Sequence, residues 1–250
     1  MIERILPEGL VAEEDFGPLP ADVSGLLLAE EAAHVARAVP KRQGEFATVR
    51  ACARKALGRL GHPPVALLPN RRGAPGWPAG VVGSMTHCDG YRAAVVARAA
   101  DAVSIGIDAE PDAPLPEGVL ETIALPAERA RLAGLTARRP GVSWDRMLFS
   151  AKESVFKTWY PLTGEELDFS EAELEFDTGE GAFSGTFSGT FSARLLVPGP
   201  VVDGQRLDGF TGRWLAGEGL VVTAITLGAS SASHGGSGRS GPESAVPSAY

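Results

Sequence analysis

The sequence predicts an α+β fold. Three observations carry that expectation: helical periodicity over residues 44–60 and 143–160, alternating strand patterns downstream of each, and the recurrence of a helices-then-strands order in both parts of the chain. That order implies two similar halves meeting near residues 108–116. With 250 residues and 44% hydrophobic content, the chain can bury one large core or two small ones.

A first helix is expected over residues 22–39, apolar and acidic, with Pro40 as its end because proline lacks the helical N–H and clashes with the preceding turn. A second follows over 44–60. There Phe46, Val49, Ala53, Ala56, Leu57 and Leu60 recur at spacings of three and four, and Gly61 is placed to stop the helix. Arg50 and Arg54, four apart, share a different face. Beyond turn-rich residues 69–78, strands at 81–85 and 91–97 flank Thr86-His87-Cys88-Asp89-Gly90 and predict a hairpin with His87 near its bend. A third strand, 103–110, alternates: Ile105 and Ile107 face one side, and Ser104, Gly106, Asp108 and Glu110 face the other.

Prolines 111, 114 and 116 mark a connection, followed by short helices at 117–124 and 127–135. The strongest helix pattern covers 143–160, with Ser143 as N-cap, Pro161 as its close, and Trp144, Leu148, Ala151, Val155 and Trp159 as its buried stripe. Strands are expected around 172–176 and over 183–197, 210–215 and 220–227. From 229 to 250, 13 of 22 residues are Gly, Ser or Pro. So few apolar groups cannot offset ordering entropy, and a disordered tail is expected. The resulting division is an N-terminal half at 1–110, a C-terminal half at 111–228, and the tail at 229–250.

A net charge of −8 argues against nonspecific nucleic-acid binding. Yet residues 37–72 hold nine Lys or Arg and one acidic residue, Glu45, a local charge of +8 that leaves −16 for the rest. Such asymmetry suits a small polyanion held locally, and equally a solvated helical face. Acidic residues stand where an export signal needs a basic start, and no apolar run is long enough to span a bilayer. Cys52 and Cys88 do not make a disulfide or zinc framework. These features predict a cytoplasmic protein with reduced thiols and with neither nucleic acid nor membrane as partner.

The chemistry-bearing residues are mostly carboxylates and cations. Asp108 and Glu110, two apart at a strand end, project from one face, and unbranched Gly106 leaves room beneath them; the pair suits magnesium and also describes a solvated turn. Glu153 and Lys157, four apart on a helix, read as a surface ion pair or as a third metal carboxylate with a cation for phosphate. His87 reads as a phosphate donor or as a hydrogen-bonded turn histidine. Arg50, Arg54, Arg71 and Arg72 carry forked donors that match phosphate oxygens. The sequence has no P-loop, no Gly-x-Gly-x-x-Gly and no zinc spacing among its four histidines.

Four segments in order then resemble the 4'-phosphopantetheinyl transferases of the single-chain surfactin and enterobactin type. They are Lys41-Arg42-Gln-Gly-Glu-Phe46 with Arg50 following, Gly83-Ser-Met-Thr-His-Cys88, Gly106-Ile-Asp-Ala-Glu110, and Phe149-Ser-Ala-Lys-Glu-Ser-Val-Phe-Lys-Thr-Trp159. The resemblance implies two similar α+β halves related by a pseudo-twofold axis, with the active site in the cleft between them. It implies a magnesium site of Asp108, Glu110 and Glu153, with Lys157 on the transferred phosphate. It further implies Thr86 and His87 at the 3'-phosphate of coenzyme A, Arg42 and Arg50 as further coenzyme contacts, and Arg72, with Arg71 beside it, where relatives carry a basic residue. The activity implied is transfer of the 4'-phosphopantetheine arm of coenzyme A to a serine of an acyl or peptidyl carrier protein, releasing 3',5'-ADP. On that resemblance Glu153 is expected to act as the base with Asp108 and Lys157 sharing in catalysis, and two halves in one chain, which already complete a site, imply a monomer. Two other readings of the same residues are a metal-dependent phosphohydrolase, which would release phosphate without a carrier, and a non-catalytic coenzyme A or carrier-binding module.

Overall fold

Two antiparallel sheets organise the chain, which is described here from a computed structural model covering residues 1–183 and 185–229. Apart from Ala229, the expected disordered tail lies outside the described residues. A turn of 3-10 helix at Ile2–Ile5 precedes β1 (Val11–Phe16), α1 (Ala29–Val35) and α2 (Pro40–Arg59). The hairpin β2 (Val81–Cys88) and β3 (Tyr91–Arg98) leads into β4 (Ala102–Pro111), α3 (Val119–Ile123), α4 (Pro126–Arg138) and α5 (Trp144–Thr163). Strands β5 (Ala172–Phe183) and β6 (Thr186–Leu195), the short ribbon β7 (Val201–Val202) and β8 (Gln205–Arg206), and β9 (Gly209–Gly217) and β10 (Leu220–Gly228) complete the fold. The sheets are ordered β1-β3-β2 and β4-β10-β9-β6-β5. The mixture is α+β, as the sequence predicts.

Several boundaries differ from expectation for identifiable reasons. The first helix shrinks to the seven residues of α1, and Pro40 opens α2 instead of closing its predecessor. At that position a proline's missing N–H is one that the helix could not have used. Gly61 does stop α2. At φ +88° it lets the amide of His62 reach the Leu57 carbonyl at 3.0 Å while its own amide reaches Gly58 O at 3.0 Å. His87 lies within β2 opposite Arg92, and the bend falls at Asp89-Gly90. Pro161 sits inside the last turn of α5, where it forfeits a single backbone bond, and the helix runs on to Thr163 with Gly164 as its C-cap. The strand containing Asp108 pairs with β10 (Asp108 opposite Thr223), so by pairing β4 belongs to the second sheet and the division expected after residue 110 is not a sheet boundary.

Each sheet carries one 20-residue helix. Cys52, Ala53, Ala56 and Leu57 of α2 pack against Val81, Ala94 and Val96. The predicted stripe of α5 (Trp144, Leu148, Ala151, Val155, Trp159) is buried against the second sheet, with Trp144 edge-on to Trp214 at 5.1 Å between ring centres. A third cluster, including Ile2, Ile5, Val95, Ile105, Ile107 and Val222, fills the space between the two sheets. At roughly 25 cal/mol per Å² of apolar area, these shared cores are what hold the halves in register.

Three details position α5. Ser104 Oγ donates to Thr158 O at 2.8 Å, and Ser150 and Ser154 hydroxyls meet Thr223 Oγ1 at 3.0 and 2.7 Å. Gly106 lies so close beneath the helix that a Cβ there would stand 2.1 Å from Ser154 O and 2.3 Å from Thr158 Oγ1. The room that the missing side chain leaves is therefore filled by helix backbone, not by open space under the carboxylates. Close approach of α5 to β4 is what brings Glu153 and Lys157 toward Asp108.

Candidate active site

Asp108 is buried on β4. Its Oδ1 accepts from Lys157 Nζ at 2.7 Å and from Thr86 Oγ1 at 3.2 Å, whereas its Oδ2 is buried with no hydrogen-bond partner among the described residues. Glu110, two residues on, is partly buried and accepts from Arg146 Nη1 at 3.0 Å. Burial, and then the charge of Asp108, push its carboxyl up to about 7, against the pull of Arg146 and Lys157. On α5, burial also raises the Glu153 carboxyl, with Lys157 opposing and Asp108 adding to the rise. Burial pulls the Lys157 ammonium down, but Asp108, Glu153 and Glu110 outweigh it and hold the lysine above its ordinary value. These four residues thus share one electrostatic neighbourhood.

Two cations are interleaved with the three carboxylates, and among the described residues no three His, Cys, Asp or Glu side chains stand together at metal-ligand spacing. The donor set nonetheless fits magnesium. It consists of hard carboxylate oxygens, one of them the buried and unpartnered Oδ2 of Asp108, and magnesium commonly takes one or two carboxylates with substrate phosphate oxygens completing its shell.

On the other flank, Arg42 Nη1 stands 2.8 Å from His87 Nε2, and Glu45 Oε2 is 3.9 Å from Nδ1. A guanidinium offers no acceptor, so Nε2 must accept and the ring proton sits on Nδ1 toward Glu45. Burial lowers the His87 pKa, with Arg42 and Lys157 adding to the effect and Glu45 and Asp108 opposing it. The Arg42 side chain is 52% exposed and open to a ligand.

Arg50 and Thr86, implied as coenzyme contacts, and Arg54, read as a match for phosphate oxygens, all have partners within the fold. Arg50 is only 5% exposed; its Nε donates to Leu67 O at 2.7 Å, and its guanidinium lies 3.2 Å over the Phe46 ring. Burial brings its pKa down to about 10. Arg54 is also mostly shielded, its Nη1 donating to both oxygens of the buried Glu31 at 2.7 Å and its Nη2 to the Leu26 carbonyl. Thr86 is 3% exposed, and its hydroxyl serves Asp108 and the Ala109 amide. Arg72 is exposed and paired with Glu166, near the contact of Asn70 Nδ2 with Tyr160 OH at 3.1 Å, so the 69–76 loop reaches the end of α5.

Two further residues escape the sequence reading. Arg146 precedes Glu153 by seven positions, two turns along the face that carries Glu153 and Lys157, and this spacing could have flagged it. Lys152, beside Glu153, is buried and donates to Glu128 Oε2 at 2.9 Å, Phe169 O at 2.6 Å and Ala172 O at 3.0 Å. Beside it opens a cleft of about 370 Å³ lined by Glu153, Val155, Phe156, Leu167 and Phe169 among others.

Residues 30–97 match the model of the 4'-phosphopantetheinyl transferase N-terminal domain, and residues 104–197 match that of the 4'-phosphopantetheinyl transferase superfamily. The chain is 68% identical over 229 residues to the 4'-phosphopantetheinyl transferase Svp of Streptomyces mobaraensis, covering 92% of this chain and 90% of that protein. This chain belongs to the 4'-phosphopantetheinyl transferase superfamily. It is also 45% identical to the transferase PptT of Mycobacterium tuberculosis, over 91% of this chain and 98% of that protein. With the transferase Npt of Nocardia iowensis it shares 48% identity, over 90% of this chain and 99% of that protein. The chain is therefore an enzyme of phosphopantetheine transfer, and transferases of this family act on carrier proteins with coenzyme A as substrate. In this transferase, Arg42, Thr86 and His87 come from the first matched segment, and all three carboxylates and Lys157 from the second.

Proposed function

We propose that the transferase binds coenzyme A with its reacting diphosphate beside the Asp108–Lys157 pair, and that a carrier-protein serine attacks there with magnesium as cofactor. The observation that carries this reading is the pair of oxygens of Asp108: one held by Lys157, the other buried with no hydrogen-bond partner among the described residues. Asp108, Glu110 and Glu153 would hold the metal, which when bound supplies positive charge against the diphosphate.

The chain's own groups account for the remaining chemistry. Arg42, exposed beside neutral His87, takes the 3'-phosphate end of the coenzyme. With the nucleotide on that flank, the pantetheine arm runs to the opposite one, where Val155, Phe156, Leu167 and Phe169 offer an apolar wall beside Glu153. Glu153, its basicity raised by burial, accepts the proton from the serine hydroxyl. The serine oxygen bonds to the β-phosphorus, the phosphoanhydride bond breaks, and 3',5'-ADP leaves with Lys157 offsetting its charge. Arg72 and Arg71, on the loop that reaches α5, add basic charge near the cleft mouth. The enzyme acts as a cytoplasmic monomer of two similar halves, on acyl or peptidyl carrier proteins.

The test incubates the purified protein with coenzyme A, magnesium and a panel of apo-carriers, with mass spectrometry reading the added arm. Transfer that stops with chelator and in Glu153→Gln, with the melting temperature preserved, supports the reading. Phosphate release without a carrier, or full transfer in excess chelator, refutes it.

A further inference from the structure

Strands β2 and β4 lie side by side without a backbone ladder between them. Two hydroxyls of β2 close the gap: Ser84 Oγ accepts from Ile107 N and Thr86 Oγ1 from Ala109 N, each at 3.1 Å. The two stitches differ in one respect. Thr86 also stands 3.2 Å from Asp108 Oδ1, whereas among the described residues Ser84 Oγ makes no hydrogen bond to a carboxylate.

The proton count makes the Thr86 contact directional. An amide can only donate, so the hydroxyl must accept from Ala109, and its single proton is left for Asp108. Thr86 and Lys157 therefore both donate to the same oxygen, Oδ1. Their combined effect is to fix the rotation of the carboxylate so that Oδ2 carries no donor although it is buried. An unpartnered buried carboxylate oxygen is costly, and it is tolerable where a cation completes it.

We propose that Thr86 is a positioning residue. It holds Asp108 in the rotamer that presents Oδ2 to the divalent cation, and it does so from the other sheet, which ties metal affinity to the junction between the halves. This inference rests on the magnesium reading above. It assigns the hydroxyl to the metal side of the site and not to the 3'-phosphate, since a side chain 3% exposed with both hydroxyl functions committed has nothing left for a phosphate.

The experiment compares Thr86→Val, Thr86→Ala, Thr86→Ser and Ser84→Ala in the full chain, with folding checked by circular dichroism. Manganese binding is titrated by electron paramagnetic resonance, coenzyme A affinity is measured in chelator, and transfer is assayed against magnesium concentration. Groups that orient a metal ligand typically change affinity by about tenfold or more. We expect Thr86→Val and Thr86→Ala to weaken manganese binding about tenfold and to raise the half-saturating magnesium by a similar factor, with coenzyme affinity in chelator unchanged. Thr86→Ser should restore metal binding, and Ser84→Ala, which loses an equivalent stitch, should leave it at the wild-type level. Equal effects of Thr86→Val and Ser84→Ala on metal binding would overturn the inference. So would loss of coenzyme affinity with metal binding intact. Wild-type protein that fails to bind manganese would overturn the magnesium reading together with it.

Discussion

Lys152 of α5 and Glu128 of α4 form an ion pair at 2.9 Å with both side chains almost wholly removed from solvent. Each partner is also fully bonded: Glu128 accepts from the amides of Leu125 and Leu174, both at 2.7 Å, and Lys152 donates to the carbonyls of Phe169 and Ala172. The pair thus ties two helices to the start of β5, one residue from Glu153. Removing one partner leaves a buried charge alone, which typically costs about 3–5 kcal/mol. Lys152→Met should therefore destabilise strongly in urea unfolding, whereas the double variant Lys152→Met with Glu128→Gln should recover part of the loss. A single variant as stable as the wild type would show that the pair contributes nothing.

Arg42 and Arg50, eight residues apart on α2, are expected to separate cleanly in a binding assay. Arg42→Ala should weaken coenzyme A binding several-fold with little change in stability, because its side chain is half exposed and faces His87. Arg50→Ala should do the reverse. It loses the bond to Leu67 O and the stacking on Phe46, together about 2–3 kcal/mol. Calorimetric titration of coenzyme A with parallel thermal melts checks both halves of this statement.

Coenzyme binding should take up a proton at His87. Burial holds its pKa below the ordinary 6.5, with the cations Arg42 and Lys157 reinforcing this, so the ring is neutral at pH 7. In the free protein this depressed group contributes stability that is present above 6.5 and lost as the pH falls through its folded value. A 3'-phosphate placed beside the ring favours imidazolium and raises the pKa. Coenzyme affinity should accordingly increase as the pH falls from 8 toward 6.5, and His87→Gln should flatten that slope. A slope unchanged in the variant would place the phosphate elsewhere.

Gly106→Ala tests how closely catalysis depends on helix seating. The new methyl would meet backbone at Ser154 and the hydroxyl of Thr158, so α5 must lift from β4. Overpacking of this kind costs about 1–3 kcal/mol or more. The transfer rate at saturating coenzyme should fall at least tenfold in protein that remains folded, since Glu153 and Lys157 move with the helix while Asp108 does not. Wild-type rates in that variant would mean the site tolerates the shift.

Much of this architecture was legible in the sequence because it follows from periodicity. The stripe from Trp144 to Trp159 is a 3.6-residue pattern, the alternation through Ile105 and Ile107 a two-residue one, and both give the buried faces found. The misread points involve residues whose meaning depends on tertiary context. A proline near a helix end is either a stop or a first-turn residue, and Pro40 is the latter. Charge alone suits Arg50 and Arg54 to phosphate and says nothing of Lys152, yet each finds carbonyl or carboxylate partners contributed by segments 17 to 28 residues away in the chain. Arg146 and Glu110 are 36 residues apart, and no local pattern announces such a pair.

The hydroxyl stitches of Ser84 and Thr86 have an energetic consequence. A main-chain ladder depends on strand pairing alone, whereas these two contacts depend on particular side chains and can be removed one at a time by substitution without touching either strand's own pairing. The amides of Ile107 and Ala109 therefore belong energetically to the seam between the sheets, and their neighbours on β4 to the strand pairing with β10. The carboxylate that Thr86 touches thus sits at the seam between the two sheets.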